Sequence, residues 1–196
     1  MKADTSFSLK DQLFNKDKVT YLASQISSAY SSFEKDKFIG SVIEKFPELA
    51  LKQRIEHITS CLTIYLPSDY LSALDIILRS LPAELDPDKS DDDFGDFIIA
   101  PLSHYVVIHG CKEQYLERSF EALVELTKRF SAEDAIRYFI NQFPRQTLDF
   151  LEQCATDTNY HVRRLASEGT RPKLPWSQRL IIDHEHAHLV RPASVL

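Results

Sequence analysis

The chain has 196 residues, of which 43% are hydrophobic and 27% charged, and its net charge is −6. This size and composition predict one globular domain with a single core, and the acidic balance argues against a generic nucleic-acid binder. The four glycines lie far apart, which excludes a glycine-rich phosphate loop or dinucleotide fingerprint, because both need several glycines within about eight residues.

Four amphipathic helices are predicted in the first 82 residues. Apolar residues recur there at i, i+3, i+4 and i+7, and prolines at 47, 67 and 82 end three of the four stripes. The stripes span 19–30, 38–46, 51–65 and 71–81, and Ser68 is a candidate N-cap for the last one.

Residues 82–97 interrupt this pattern with prolines and aspartates and are predicted to form an acidic loop. The run Asp91, Asp92, Asp93 raises the possibility of calcium binding. An EF-hand loop needs alternating ligands, a central glycine and a final glutamate, and this run has none of that spacing. We therefore expect a solvated loop.

Helical stripes resume after the loop and continue to residue 166. Gly110 is the expected C′ residue of the first of them, residues 131–134 resemble a capping box, and Asn159 can cap the last. The stripes span 102–109, 116–130, 136–143, 148–155 and 162–166. The chain is thus predicted to be a string of nine or ten helices with short connections.

One motif occurs twice, which bears on how these helices are arranged. Ile43-x-x-Phe46-Pro47 with Leu51 is matched 97 residues later by Ile140-x-x-Phe143-Pro144 with Leu148. That offset is about two repeats of a helix-pair solenoid. We expect an all-α, HEAT-like superhelix of antiparallel helix pairs, which buries one face of each pair on the next and leaves a concave surface for a ligand.

Targeting and redox signals are sparse. No stretch approaches ~18 consecutive apolar residues, and the N-terminal residues lack the apolar core of a signal peptide. The three cysteines are far apart, so they indicate reduced thiols in a cytoplasmic protein, without a disulfide framework or a zinc site.

The charge is unevenly distributed along the chain. Residues 128–179 hold nine Lys and Arg against six Asp and Glu, whereas the preceding 127 residues are strongly acidic. Five of the cations fall within seventeen residues around the sole tryptophan, Trp176; they are Arg163, Arg164, Arg171, Lys173 and Arg179. An i, i+4 ion pair between Arg164 and Glu168 beside a core tryptophan is the simplest interpretation. The density of cations beside an aromatic ring also suits phosphate contacts with stacking.

The same segment resembles a known signature. HVRRLASEGTRPKLPW, at 161–176, is similar to that of the AlkC-type branch of the HEAT-like DNA alkylation repair glycosylases. PLSHYVVIHG, at 101–110, and ELTKRFSAEDAIRYFI, at 125–140, resemble the same family in order and spacing, so the resemblance spans roughly residues 10–176. It implies a helical solenoid that removes cationic N-alkylated purines such as 3-methyladenine from duplex DNA, with no cofactor, no metal and no obligate protein partner.

The resemblance also implies roles for individual residues. Glu133, Glu168 and Trp176 match the family's catalytic positions. Arg163, Arg164, Arg171, Lys173 and Arg179 are the expected DNA-binding residues. The carboxylate of Glu133 is equally compatible with a favourable charge at a helix N-terminus. Asp134 and Tyr138 depart from the family pattern, which has an aromatic residue and a proline there.

The end of the chain departs further. The family's next repeat, with its catalytic aspartate, has no match after Trp176, so we expect residues 1–182 to form the repeat domain with impaired catalysis, and residues 183–196 to form a flexible tail. His184, His186 and His188 in that tail could share a face, but no cysteine accompanies them and a frayed terminus is expected. The alternative function is a non-catalytic module that binds DNA or protein.

Overall fold

A computed structural model describes residues 8–88 and 95–181. Its regular structure is helical in those residues, with a single isolated bridge between Gly95 and Phe130. The α-helices are α1 (Leu9–Leu13), α2 (Lys16–Ala29), α3 (Lys35–Lys45), α4 (Leu51–Tyr65), α5 (Tyr70–Arg79), α6 (Ala100–Gly110), α7 (Leu116–Thr127), α8 (Glu133–Gln142), α9 (Pro144–Cys154) and α10 (Tyr160–Gly169). Short 3-10 turns lie at Phe46–Glu48, Phe97–Ile99 and Glu113–Tyr115. The predicted all-α class is confirmed.

The helices are stacked as pairs along one direction. Helix α4 packs on α6, α6 on α8, and α8 on α10, so these four helices form a continuous row. Neighbours in sequence also pack on each other, as in α2 with α3, α6 with α7, and α8 with α9. This serial packing confirms the predicted helical-repeat solenoid.

One hydrophobic core runs through the stack. Its fully buried residues extend from Phe14, just after α1, to Leu165 in α10. In α7, for example, four buried apolar residues fall on one face at i, i+3 and i+4 spacing; they are Leu116, Phe120, Leu123 and Leu126. Helices α2 to α10 therefore contribute the stripes that their sequence patterns indicated.

The repeated Phe-Pro motif lies at two connections between consecutive helices. Phe46 is buried and begins the 3-10 turn between α3 and α4, with Pro47 beside it. Phe143 precedes α9, and Pro144 is the first residue of that helix. Proline suits both places because the first turn of a helix does not need its missing N–H.

Gly110 has a different role from the predicted one. It is the last residue of α6, and the C-cap is Cys111 with φ −76°, so the expected left-handed C′ glycine is wrong. A Cβ at position 110 would lie 2.1 Å from Tyr70 Oη and 2.4 Å from Ser119 Oγ. Those two hydroxyls hydrogen-bond each other at 2.8 Å. Only glycine lets α5 and α7 approach α6 this closely.

The described part of the acidic loop that precedes residue 89 lies against the start of α10. Tyr160 N donates to the Pro87 carbonyl at 2.9 Å, and the His161 ring contacts the Asp86 carbonyl oxygen at 3.0 Å. Asp91, Asp92 and Asp93 lie outside the described residues, as does the tail 183–196 with its three histidines.

None of the helices within residues 8–88 and 95–181 is long and apolar enough to cross a membrane alone. Helices α4 and α5, which meet at 113°, would pass by length and composition only as a bent pair.

The three cysteines are free, and burial raises the pKa of each thiol, to about 11 for Cys61 and Cys111 and about 12 for Cys154. The reactive thiolate is therefore scarce near neutral pH. We expect iodoacetamide at pH 8 to label the native chain at least ~10²-fold more slowly than the guanidinium-unfolded chain, since an unperturbed thiol has a pKa of about 8.5. Mass spectrometry of timed samples measures this ratio, and equal labelling rates would contradict it.

Candidate functional site

The predicted basic segment forms α10 and the loop that follows it. Arg163 and Arg164 lie in the first turns of α10, after the N-cap Asn159, whose side chain accepts from His161 N. Arg171, Lys173, Trp176 and Arg179 lie in residues 170–181, which have no regular helix. The segment therefore begins on the row of stacked helices and continues beside it.

Glu133 opens α8 and is held by α10. Its carboxylate lies 2.8 Å from Arg164 Nη1 and accepts from Ser131 Oγ, also at 2.8 Å. Arg164 Nη1 donates to Ser131 Oγ at 2.9 Å as well. The expected capping box is wrong here, because Ala132 is the N-cap and has no side chain that can accept a hydrogen bond. The Ser131 hydroxyl donates to the Glu133 carboxylate instead, and the positive end of the α8 dipole stabilises the negative charge of that carboxylate.

Glu168 pairs with the loop after its helix. Its carboxylate accepts from Arg171 Nη1 at 2.8 Å. The predicted i, i+4 pair between Arg164 and Glu168 is not formed, because Arg164 reaches across to α8. The Glu168 carboxylate raises the pKa of Arg171, and Glu133 adds to this at longer range. Arg171 therefore contacts Glu168 directly and experiences the charge of Glu133 from a longer distance.

The two ion pairs differ in exposure. The side chains of Arg164 and Glu133 are 18% and 22% exposed, whereas that of Arg171 is 57% exposed. Burial weakens the solvent screening of the first pair, while the Arg171 guanidinium stays accessible to other anions.

The remaining cations are exposed. Arg163 donates to the backbone carbonyls of Asp157 and Thr158 at 2.8 Å each. Lys173 and Arg179 are also exposed, and their side chains form no ion pair with the part of the chain that the structure describes. Arg163 thus adds exposed positive charge near the start of the basic segment, and Lys173 and Arg179 add it in the loop that follows α10.

Trp176 lies on the surface in an unusual backbone conformation. Its side chain is 85% exposed, so the core tryptophan of the simplest interpretation is wrong. Its φ is +67°, in the left-handed region that residues with a Cβ rarely adopt. Its carbonyl accepts from the Lys52 ammonium of α4. The loop thus projects a large aromatic ring into solvent from a strained position.

Comparison with known proteins identifies the architecture. The structure of Pseudomonas fluorescens alkylpurine DNA glycosylase AlkC, bound to DNA containing an abasic site analog, matches 89% of this chain with a TM-score of 0.74 and 32% identity. This fold is AlkC-like. The uncharacterized protein YhaZ of Bacillus subtilis (strain 168) is 31% identical over 170 residues, or 86% of this chain. No model of a known protein family matches. The chain spans 45% of the AlkC chain and 44% of YhaZ, a little under half of each.

The AlkC-like row also carries a titratable cluster that the sequence did not reveal. The rings of His104 in α6 and Tyr138 in α8 lie 6.4 Å apart, edge to face. The negative charges of Glu56 in α4 and Asp134 in α8 act to raise the pKa of both side chains. Burial outweighs these charges at His104 and lowers its pKa, whereas burial and both carboxylates raise the pKa of Tyr138. Asp134 and Tyr138 lie one turn apart on α8, and the stacking of α4, α6 and α8 brings Glu56 and His104 near them.

Two buried arginines were also missed. Arg54 and Arg137 are 2% and 0% exposed. The available signal was a cation within an apolar stripe, between Leu51 and Ile58 in the first case and between Ile136 and Ile140 in the second. A cation in such a place usually has specific partners, because burying an unpaired charge is costly.

A cavity of about 380 Å³ lies near the other end of the AlkC-like stack. Arg54 lines it together with residues of α1, α3 and the Phe46 turn, and none of the predicted site residues does. Within residues 8–88 and 95–181, no three His, Cys, Asp or Glu side chains converge closely enough to hold a metal ion.

Proposed function

We propose that this chain acts in DNA repair as a glycosylase that removes cationic N-alkylated purines, such as 3-methyladenine, from duplex DNA. The similarity to AlkC carries the proposal, because it combines 32% identity with a TM-score of 0.74 over 89% of the chain. The paired acidic and basic groups at α8 and α10 support it with chemistry of the right kind.

The proposed reaction makes modest chemical demands. An N3-alkylated purine already carries a positive charge and leaves without protonation. The enzyme must then stabilise an oxocarbenium-like sugar and orient a water molecule, and carboxylates do both. Glu133 and Glu168 are the proposed carboxylates, and Trp176 is proposed to pack against the lesion or its deoxyribose.

The arginine partners are proposed to have different roles. Arg164 is largely buried against Glu133 and Ser131, so it fixes the position of that carboxylate. Arg171 is more exposed and can exchange Glu168 for a DNA phosphate, since both are anionic oxygen acceptors. Binding of the duplex would then release Glu168 toward the sugar.

Duplex binding itself is proposed to depend on the exposed cations, despite the net charge of −6. The local field at a surface is set mainly by nearby charges, and screening removes more distant ones beyond about 10 Å at 0.1 M salt. Arg163, Lys173 and Arg179 supply that local field together with Arg171.

A base-release assay on methylated duplex tests the proposed activity. We would measure 3-methyladenine released by these 196 residues and by a fusion to the part of AlkC beyond the matched region. Release by either form supports the glycosylase, and release by the fusion alone supports the expectation of impaired catalysis in the short form. Duplex binding without release by either form would favour a DNA-binding module, and absence of binding would favour a protein-interaction scaffold.

The double substitution Arg163→Ala with Lys173→Ala should weaken duplex binding and flatten its salt dependence. Each lost phosphate contact lowers the slope of log K against log salt by about one, so we expect a decrease of about two. Fluorescence anisotropy of a labelled duplex at several salt concentrations measures both quantities.

Arg118→Ala with Lys37→Ala is the matched control. These cations are also exposed and lie on α7 and α3, away from the basic segment. The control removes the same net charge, so an equal loss of affinity in both double variants would show that binding reflects overall charge alone.

A further inference from the structure

Both ends of the loop that carries Trp176 are attached to the same residue of α8, Arg137. Arg137 Nη1 donates to the carbonyls of Gly169 at 3.0 Å and Arg171 at 2.7 Å. The Nε of the same guanidinium donates to the carbonyl of Gln178 at 2.7 Å. A single buried side chain thus joins the two ends of the loop 172–177.

A second residue on the same face of α8 continues this attachment. Asn141 lies four residues after Arg137, which places both on one side of the helix. Its Nδ2 donates to the Arg179 carbonyl at 3.0 Å, and its Oδ1 accepts from Ile181 N at 2.7 Å. The loop base is therefore fixed to α8, while Lys52 of α4 donates to the Trp176 carbonyl in the middle of the loop.

The partners of Arg137 indicate what it is for. All three hydrogen bonds given above go to backbone carbonyls at or beyond the last residue of α10. Charge-assisted hydrogen bonds of this kind are stronger than neutral ones, and a planar guanidinium can reach several acceptors at once. A fully buried cation that bonds in this way holds those carbonyls in fixed positions.

We propose that Arg137 is the positioning residue of the Trp176 loop. By fixing both ends of 172–177, it keeps Trp176 in its left-handed conformation and fixes the backbone that carries Arg171 and Lys173. The consequence for DNA rests on the proposed function above; the positioning of the loop does not.

Trypsin and fluorescence test this positioning without DNA. Trypsin can cut after Lys173 and Arg179, whereas the bond after Arg171 precedes a proline. Trp176 is the only tryptophan in the chain, so its fluorescence anisotropy reports the mobility of this loop alone. In Arg137→Met we expect cleavage at Lys173 to be at least ~10-fold faster and the anisotropy to fall, because releasing the loop base raises the open population that proteases cut.

Arg54→Met is the matched control. Arg54 is also a buried arginine that donates to backbone carbonyls, here those of Lys10, Phe14 and Phe46 at the other end of the stack. It should reduce thermal stability without changing Trp176 anisotropy or cleavage at Lys173. Arg137→Lys keeps the positive charge but loses the planar fork, so it should release the loop nearly as much as Arg137→Met.

The results decide between positioning and general support of the fold. Faster cleavage with lower anisotropy, while circular dichroism still shows cooperative unfolding, supports the proposal. Unchanged cleavage and anisotropy would overturn it, and so would global unfolding of both Arg137 variants, since a residue that positions only the loop leaves the solenoid folded.

DNA binding adds a separate result. We expect Arg137→Met to lower duplex affinity about as much as Arg163→Ala with Lys173→Ala, and Arg54→Met to leave the affinity unchanged. If the unsubstituted chain does not bind duplex DNA, the proposed function fails, while the trypsin and anisotropy measurements still decide the role of Arg137.

Discussion

Glu133→Gln should lower the rate of 3-methyladenine release by about 10²–10³-fold, the usual loss on removing one preorganised electrostatic group. Glutamine keeps the size of the side chain and can still accept from Ser131 and Arg164, so α8 and α10 should stay in place. It removes the negative charge that would stabilise a cationic sugar. Duplex affinity should be unchanged or higher, because one anion is lost beside the phosphates.

Single-turnover base release measures the effect in whichever form of the protein releases base. Glu121→Gln is the control, since Glu121 is an exposed glutamate paired with Arg118 on α7. A rate reduced equally by both substitutions, or duplex affinity reduced by Glu133→Gln, would contradict the proposed role. Glu168→Gln should behave like Glu133→Gln in rate.

The sequence predicted α2 to α10 well, because the apolar spacing of each of these helices indicates its buried face. The stripe at 51–65 coincides with α4, which Pro67 follows closely. Helix α1 was missed because its five residues contain none that is buried. It is held partly by Arg54, which contacts the Lys10 carbonyl and the Asp11 carboxylate, and no local pattern indicates such a contact.

Local spacing was a poor guide to the ion pairs of the candidate site. Arg164 and Glu168 have the spacing of a helical pair, yet Arg164 pairs with Glu133, 31 residues earlier. An exposed i, i+4 pair contributes only about 0.3–0.5 kcal/mol, so a better-buried partner on a neighbouring helix readily wins. The density of cations was visible in sequence, whereas their division into paired and accessible groups depends on how α8 and α10 pack.

The two interpretations of the basic segment differ most clearly in where they place Trp176, in the core or on the surface. A tryptophan that follows an apolar leucine and a proline could equally have completed the core. In the structure, Arg137 fixes the backbone before and after the loop to α8, Asn141 fixes the segment that follows, and Trp176 lies exposed between these attachments.

Trp176→Ala should therefore reduce the preference for methylated over unmodified duplex at little cost in stability. Truncating a buried tryptophan typically costs about 3–5 kcal/mol, but this ring is 85% exposed and the loss should be well below that range. Competition binding between the two duplexes gives the preference, and thermal unfolding gives the stability.

Trp176→Gly separates the effect of losing the ring from the effect of backbone strain at this position. Its φ of +67° strains any residue with a Cβ by roughly 1–2 kcal/mol, and glycine removes that strain. The glycine variant should thus be at least as stable as the alanine variant while losing the same preference. A large loss of melting temperature in both variants would show that the ring supports the fold. An unchanged preference in both would remove Trp176 from the proposed site.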